Sequence, residues 1–518
     1  MSVSGTQVVA NLFVQRGTVT FTGGPLYFLG TGSYFSNYVA AGVTAIFNTP
    51  FVGGGSPDKW GTGTAVYSSA STSGGYYTLN EGTLAFGNNA ALSTARLEVG
   101  DQTGVKVVTL QAADATVRTL ANYLTLKAVN LNIGTGGNLT FSGPINVNSN
   151  AVAARVIAVS NNVTTFSGVL TNTCGLTKTG PGTLVLSGAS ANTYGSTSAN
   201  GNTTVSGGTL KLSKTAGVAA VPNGSLILNT GGILLLGAAN QISDAVPMTL
   251  AGGVFQTAGF SEQLGPLALT SNSQIDLGAD VTVLKYAASS GVAWTAAKTL
   301  TITNWSGSIT GGGAEQLMFG SNSSGLSAAL VSQIRFANPP GFPVGSYAAT
   351  ILSTGEVVPL TVAPSITLQP QSQVAIAGNT VTLACTASGI PAPAYQWSFN
   401  GMNLADATAA TLSLPGVTLG QAGSYSVIVT NIAGSTTSSI VLLSVYASAA
   451  PTLCGAGCSS NGQFQLSVTG VPGCKYAILA STDLSNWTVL QTNNCPFTFT
   501  DTNTSGLPCQ FYRAQYLP

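Results

Sequence analysis

Leu176-Thr-Lys-Thr-Gly-Pro-Gly-Thr-Leu-Val-Leu-Ser-Gly-Ala189, followed by Asn192-Thr-Tyr194 and Thr203-Thr-Val-Ser-Gly-Gly-Thr-Leu-Lys-Leu212, is the stretch on which the fold turns. It holds short runs in which apolar residues alternate with Thr, Lys or Ser, each entered through a glycine turn. Alternation with a period of two marks a half-buried strand, and glycine supplies the positive φ of a tight corner. The same phrase recurs as Arg16-Gly-Thr-Val-Thr-Phe21, Glu81-Gly-Thr-Leu-Ala-Phe86, Gly136-Gly-Asn-Leu-Thr-Phe141, Gly231-Gly-Ile-Leu-Leu-Leu236 and Gly252-Gly-Val-Phe255. Counted from Thr209, the equivalent positions read as Ile233, Val254 and Ile275, at intervals of 24, 21 and 21 residues.

A strand of about five residues covers ~17 Å. A period near 20 therefore leaves room for two or three short strands and their turns, and successive repeats stack at ~4.8 Å through parallel ladders. The expectation is an all-β chain in which residues 1–362 form a right-handed parallel β-solenoid, capped near 311–359. Val, Leu, Ile and Phe point inward; Thr, Ser and Asn point outward. The alternative is a large sandwich or jelly roll. The short repeat and the lack of consistent hairpin turns favour the solenoid. Ser327–Gln333 reads as the one clear helical turn.

Composition agrees. Only 6 % of the 518 residues are charged (15 Lys+Arg, 14 Asp+Glu), against roughly 25 % in ordinary proteins. The mean hydropathy of +0.35 reflects that scarcity. No run approaches the ~20 apolar residues of a membrane-spanning helix. No Lys/Arg cluster is present to neutralise phosphates, which sets nucleic-acid binding aside. There is no histidine, so no His triad, His metal ligand or His general base can be built. No cofactor-binding pattern stands out.

The ordered run from Leu176 to Leu212 resembles the passenger-associated β-strand repeat of autotransporter proteins. It departs from that motif after Tyr194, where Gly195-Ser-Thr and a short insertion through Asn202 replace the usual turn. Glu315-Gln-Leu-Met-Phe319, Gln333-Ile-Arg-Phe336, Asn338-Pro339 and Gly355-Glu-Val-Val-Pro359 resemble the end of similar surface proteins from Verrucomicrobia- and Planctomycetes-like bacteria. The resemblance implies a solenoid and a surface location. It does not imply self-translocation, because the residues after 362 do not read as a membrane barrel.

Val362-Ala-Pro364 and Gln369-Pro370 mark a linker. Residues 363–446 then resemble an immunoglobulin-like sandwich: Cys385 in a B-strand pattern, Trp397 at the usual distance, and Gly423-Ser-Tyr425 as a tyrosine corner. Val427 stands where that family has its second cysteine, so the intersheet disulfide is precluded and Cys385 reads as a buried thiol. Residues 447–518 form a small C-terminal β-domain. Five of the seven cysteines lie in the last 65 residues: Cys454, Cys458, Cys474, Cys495 and Cys509. Their density fits disulfides in an oxidising compartment; a zinc site is the alternative. Two bridges leave one cysteine over, free or paired with Cys174 or another chain. Met1-Ser-Val-Ser-Gly5 carries no basic or continuous apolar leader, which reads as a trimmed or incomplete frame.

Catalytic candidates are sparse. Asp276 and Asp280 stand four apart and Asp58 adjoins Lys59, but Asp276 reads as outward and Asp280 as a turn residue. Lys178 and Lys211 read as outward charges. Tyr27, Phe28, Tyr34, Phe35, Tyr38, Phe47 and Phe51 crowd the N-terminal region, as core, as an association surface (Tyr27, Phe28, Tyr34, Phe35 and Tyr38 above all) or as a carbohydrate platform. The expected function is that of a non-catalytic extracellular structural or adhesive protein. It would polymerise as a homo-oligomer or filament through strand edges or solenoid ends, and glycans are further candidate partners. The alternative is a secreted carbohydrate-binding or polysaccharide-degrading β-helix.

Overall fold

The structure is a computed structural model that describes residues 2–9, 11–28, 34–100, 106–127, 130–147, 154–447, 450–458, 463–502 and 509–517. The first compact unit spans Met1–Leu360 and the second Thr361–Pro518.

Short strands of the first unit stack into long sheets rather than hairpins. Among the described residues, one sheet has 13 strands, a second has 8, and a third has 15. The 13- and 8-stranded sheets are parallel throughout, so each strand pairs with its counterpart one turn away. The outward column Thr18–Thr44–Thr64–Thr83–Thr109 runs across five strands in exact register. Three residues further along the same strands, the inward column Phe21–Phe47–Tyr67–Phe86 fills the interior, with the Phe21 and Phe47 rings stacked at 4.9 Å. One continuous core follows, from Val14 to Val358.

The registers correct one expectation. Thr209 pairs with Ile233 and Ile233 with Val254, as read from the sequence, but Val254 pairs with Gln274, not Ile275. Ile275 instead faces Phe255 and is fully buried. A slip of one residue moves a side chain to the opposite face; the partner of Val254 lies one residue earlier in the chain than the spacing assumed.

Lys178 is a second correction. It is buried, not outward. Its ammonium donates to the carbonyl oxygens of Thr179 (2.8 Å), Gly180 (2.9 Å) and Gly207 (2.9 Å), two on its own corner and one on the next turn. Lys59 does the same toward Trp60 (2.9 Å), Gly61 (2.6 Å) and Glu81 (3.1 Å). Lys59-Trp-Gly-Thr-Gly-Thr-Ala-Val-Tyr67 is thus a second copy of Lys178-Thr-Gly-Pro-Gly-Thr-Leu-Val-Leu186. A sharp corner points several carbonyls inward, and a buried unpaired carbonyl is costly. A long flexible cation satisfies three at once. Lys211 does lie on an outward position, between Val185 and Leu235.

Other parts of the motif act similarly. Asn192 receives the Leu170 N–H (3.0 Å) and donates to the Ala220 carbonyl (2.8 Å), tying three turns together. Tyr194 is buried with its hydroxyl 2.8 Å from that of Thr203.

The solenoid's carboxyl-terminal end is closed. The strand Ser346–Ile351 runs antiparallel to both Ile334–Ala337 and Glu356–Pro359, and the latter pairs antiparallel with Glu315–Phe319. The short helix Ala328–Val331, capped by the Ser327 hydroxyl, lies in this closing segment.

In the second unit, Trp397, Cys385, Tyr425 and Val427 share one core. Val427 is fully buried, and Cys385 is a buried thiol. The Tyr425 hydroxyl donates to the Gln421 carbonyl at 2.8 Å, the bond that defines a tyrosine corner. Two three-stranded antiparallel sheets follow, Thr452–Cys458, Phe464–Thr469 and Phe497–Asp501 in one and Thr488–Asn494, Lys475–Ser481 and Phe511–Leu517 in the other, over a separate core.

Candidate functional site

The eight-stranded sheet carries the densest chemistry on the molecule. Its inward residues, such as Leu79, Leu97, Val99 and Leu126, are core, so the alternate positions face outward. Register alignment sorts these into three columns. The central one runs Asn11–Ser36–Asp58–Thr78–Glu98–Thr125. On one side stand Phe13, Tyr38 and Trp60, each opposite the next. On the other stand Tyr76 and Arg96, with Tyr123 on the neighbouring turn. The column thus has aromatic rings on both sides, staggered along the axis: Trp60 stands beside Asp58, Tyr76 beside Thr78, and Arg96 beside Glu98.

The flanks are stiffened by cations. The Arg96 guanidinium lies 5.5 Å from the Tyr76 ring centre and 4.2 Å from that of Tyr123, and Lys106 lies 4.8 Å from Trp60. Such contacts hold rings flat at modest cost in entropy. Phe13 is 65 % exposed, Tyr76 45 % and Tyr38 38 %, so apolar ring surface is open to solvent. Lys127 pairs with Glu98, and Lys106 with Glu81 at 3.7 Å. In a chain with so few charges, Asp58, Glu81, Arg96, Glu98, Lys106 and Lys127 gather on or beside one face.

Asp58 is only partly satisfied. Burial pushes its carboxyl above the ordinary carboxylate range and Glu98 adds to the effect, while the Thr78 hydroxyl and Lys127 oppose it. One of its oxygens, and the buried Thr125 hydroxyl in the same column, have no hydrogen-bond partner among the described residues. Asp58 and Glu98 are separated by one strand, hence by ~9.6 Å along the axis.

The residues expected from the sequence to form an association surface divide. Tyr27 and Tyr38 are exposed. Phe47 and Phe51 are core, packed with Tyr67 and Tyr77. The side chains of Phe28, Tyr34 and Phe35 lie outside the described residues. Trp60, Tyr76, Arg96 and Tyr123 were missed, although the only signal they give is aromatic residues near charges at roughly the repeat spacing. Asp276, at the end of the strand Ser273–Asp276, accepts from the Gly278 N–H (3.1 Å) and the Asn304 amide (2.7 Å).

Cys454, Cys474, Cys495 and Cys509 carry free thiols in this structure; the side chain of Cys458 lies outside the described residues. Cys174 is buried in the solenoid core, where it has no route to a surface partner. Among the described residues no three His, Cys, Asp or Glu side chains converge on a metal-sized site, and no helix is long and apolar enough to cross a membrane.

An immunoglobulin-domain family model matches residues 363–431. The chain is 24 % identical over 282 residues to the adhesin BmaC autotransporter of Brucella suis biovar 1 (strain 1330), which covers 52 % of this chain and 8 % of that protein. It is 31 % identical over 102 residues to endoglucanase C of Cellulomonas fimi, covering 19 % of this chain and 9 % of that protein. The chain thus spans less than a tenth of the length of either relative. Among solved structures, a chimeric titin Z1Z2 is 33 % identical over 17 % of this chain and 99 % of that chain, with a TM-score of 0.16.

Proposed function

We propose that this chain is an extracellular adhesive and structural protein that holds its target through the outward face of the eight-stranded sheet. The observation that carries this reading is the column of Asp58, Thr78 and Glu98 between two rows of partly exposed aromatics. Flat rings stack on the apolar faces of sugar rings, and carboxylates accept from their hydroxyls, so the target class is a glycan. The similarity to an autotransporter adhesin and the repeat in residues 176–212 support a passenger-like surface location.

Self-association belongs to the same proposal. Ser2–Val3 and Asn11–Val14 end their parallel sheets among the described residues, and Leu267–Ser271 and Leu170–Thr171 stand at the other ends of the same two sheets. Pairing of a second copy at these edges, with few like charges to repel it, would give end-to-end assemblies. Negative-stain imaging at high protein concentration tests this part: dispersed monomers alone would remove it.

One observation favours a second reading, polysaccharide cleavage. The ~9.6 Å between Asp58 and Glu98 lies near the upper end of the carboxylate separation used by inverting glycosidases. Glu98, however, is engaged in an ion pair with Lys127. A glycan array with a reducing-sugar assay on its hits separates the two. The adhesive reading expects binding that weakens tenfold or more in Tyr76→Ala and Trp60→Ala, with no release of sugar. Sugar release that disappears in Asp58→Asn would establish the enzyme instead; no binding to any glycan would sink both.

A further inference from the structure

Cys474 and Cys495 meet across a bulge whose hydrogen bonds define their placement. The Cys474 N–H donates to the Val471 carbonyl at 3.1 Å, closing a turn with Pro472 and Gly473 at its centre. Gly473 has φ +81. Its N–H donates to the Cys495 carbonyl at 2.9 Å, and the Cys495 N–H donates back to the Cys474 carbonyl at 2.9 Å. Two residues, Gly473 and Cys474, therefore oppose the single residue Cys495, a bulge opened by a left-handed glycine. Beyond it the ladder runs on in register, Lys475 opposite Asn494. Cys495 belongs to the core of this module and Cys474 packs against that core, so both side chains lie on the inner side of the sheet.

We infer that Cys474 and Cys495 form a disulfide in an oxidising compartment. Directly opposed residues have Cβ atoms ~4.5–5.5 Å apart, and a disulfide needs ~3.5–4.5 Å, so closure asks for a small side-chain and backbone adjustment. The other cysteines are placed differently. Cys454 stands opposite Ser467, and Cys509 is exposed beside the Thr482 carbonyl. The bond would fasten Thr488–Asn494, an edge strand with Val489 and Leu490 exposed, to the central strand Lys475–Ser481. Edge strands hydrogen-bond on one side only and peel most easily. The chemistry is thiol–disulfide exchange with an oxidised dithiol carrier or glutathione disulfide. The half-buried Cys474 thiolate attacks it and releases one thiolate. The Cys495 thiolate then displaces the second, so two protons and two electrons leave the pair and the oxidant is reduced to two thiols.

The test uses the purified full chain, equilibrated in glutathione buffers from reducing to oxidising, quenched with an alkylating agent, digested and mapped by mass spectrometry. The expected result is a single peptide pair joining Cys474 to Cys495, two hydrogens lighter than the sum, formed while Cys174 and Cys385 stay protected until unfolding. Joining of either residue to another cysteine, or alkylation of both at the most oxidising poise, would overturn the inference. Cys495→Ser is expected to leave Cys474 as a glutathione adduct; should that variant not fold, the wild-type map still decides. The inference rests on the extracellular reading for its biological setting, but the map reports the pair's own chemistry. A bond that forms in the buffer but is absent from protein recovered from cells would refute the location and leave the pairing intact.

Discussion

Lys178 sits in a motif whose sequence looks like a solvated strand face, yet it is a buried carbonyl clamp. Removing it leaves three inward carbonyls without donors, so Lys178→Met is expected to lower the stability of the solenoid by about 2–4 kcal/mol, read from urea unfolding. Lys211→Met, on the outward face of the adjoining turn, is expected to change it by less than about 0.5 kcal/mol. Burial draws both Lys59 and Lys178 down to about 8. The unfolded chain then binds more protons than the native one between pH 8 and the ordinary lysine value of 10.5, so stability rises with pH across that window. Glu262, buried and accepting the Gln241 N–H at 2.6 Å, is raised from 4.5 to about 7 by its burial. Its native form holds a proton that the unfolded form has lost, so between those values stability falls as pH rises. Denaturation midpoints across pH 4 to 10 should therefore pass through a minimum near pH 7 to 8. A flat profile, or one that Glu262→Gln leaves unchanged at its acid side, would refute these assignments.

At the scale of elements, the corner is what the repeat encodes. Gly180 has φ +77, and a Cβ on Gly182 would collide with the Asn161 carbonyl of the turn beneath. The glycines are thus required by the approach of successive turns, while Thr183 and Thr209 beside them merely fit an outward ladder. Gly182→Ala is expected to cost about 3 kcal/mol or more, seen as a lowered midpoint and faster hydrogen exchange in Thr183–Gly188. Strand existence, alternation and these corners were all legible in the sequence, because each is a local matter of periodicity and φ. Register was not. The slip at Ile275 depends on the length of one turn, and which lysine turns inward depends on carbonyls supplied by another turn 29 residues away. In the immunoglobulin-like module the reverse held: Cys385, Trp397, Tyr425 and Val427 were placed by resemblance to that family's pattern, and they share one core. Cys385→Val should accordingly cost less than about 1.5 kcal/mol, since the thiol is used only as buried volume.

Among the described residues there are three separate hydrophobic cores, one in the solenoid and two in the second unit. Each buries its own apolar surface, so scanning calorimetry is expected to resolve more than one transition, with residues 361–518 folding as an isolated fragment. A single transition, and an unfolded fragment, would show the cores to be energetically fused. The scarcity of charge also takes its meaning at this scale. Thr18, Thr44, Thr64, Thr83 and Thr109 stand one above another at ~4.8 Å. Like charges at that spacing would repel along the whole axis. Six of the charges the chain does keep, Asp58, Glu81, Arg96, Glu98, Lys106 and Lys127, lie on or beside the candidate binding face.

The sequence by itself determined the strands, the glycine corners, the stacked all-β architecture and the absence of histidine chemistry, since these follow from period, composition and local backbone preference, while the immunoglobulin-like module was legible through its family resemblance. Only the tertiary structure decided which residues share a column, because register is set by turn lengths and by partners a full turn away. That is why Asp58, Glu98, Trp60, Tyr76 and Tyr123, spread over some 65 residues of chain, become one face only when the solenoid is wound. The same cause turns Lys178 from a surface charge into a structural clamp.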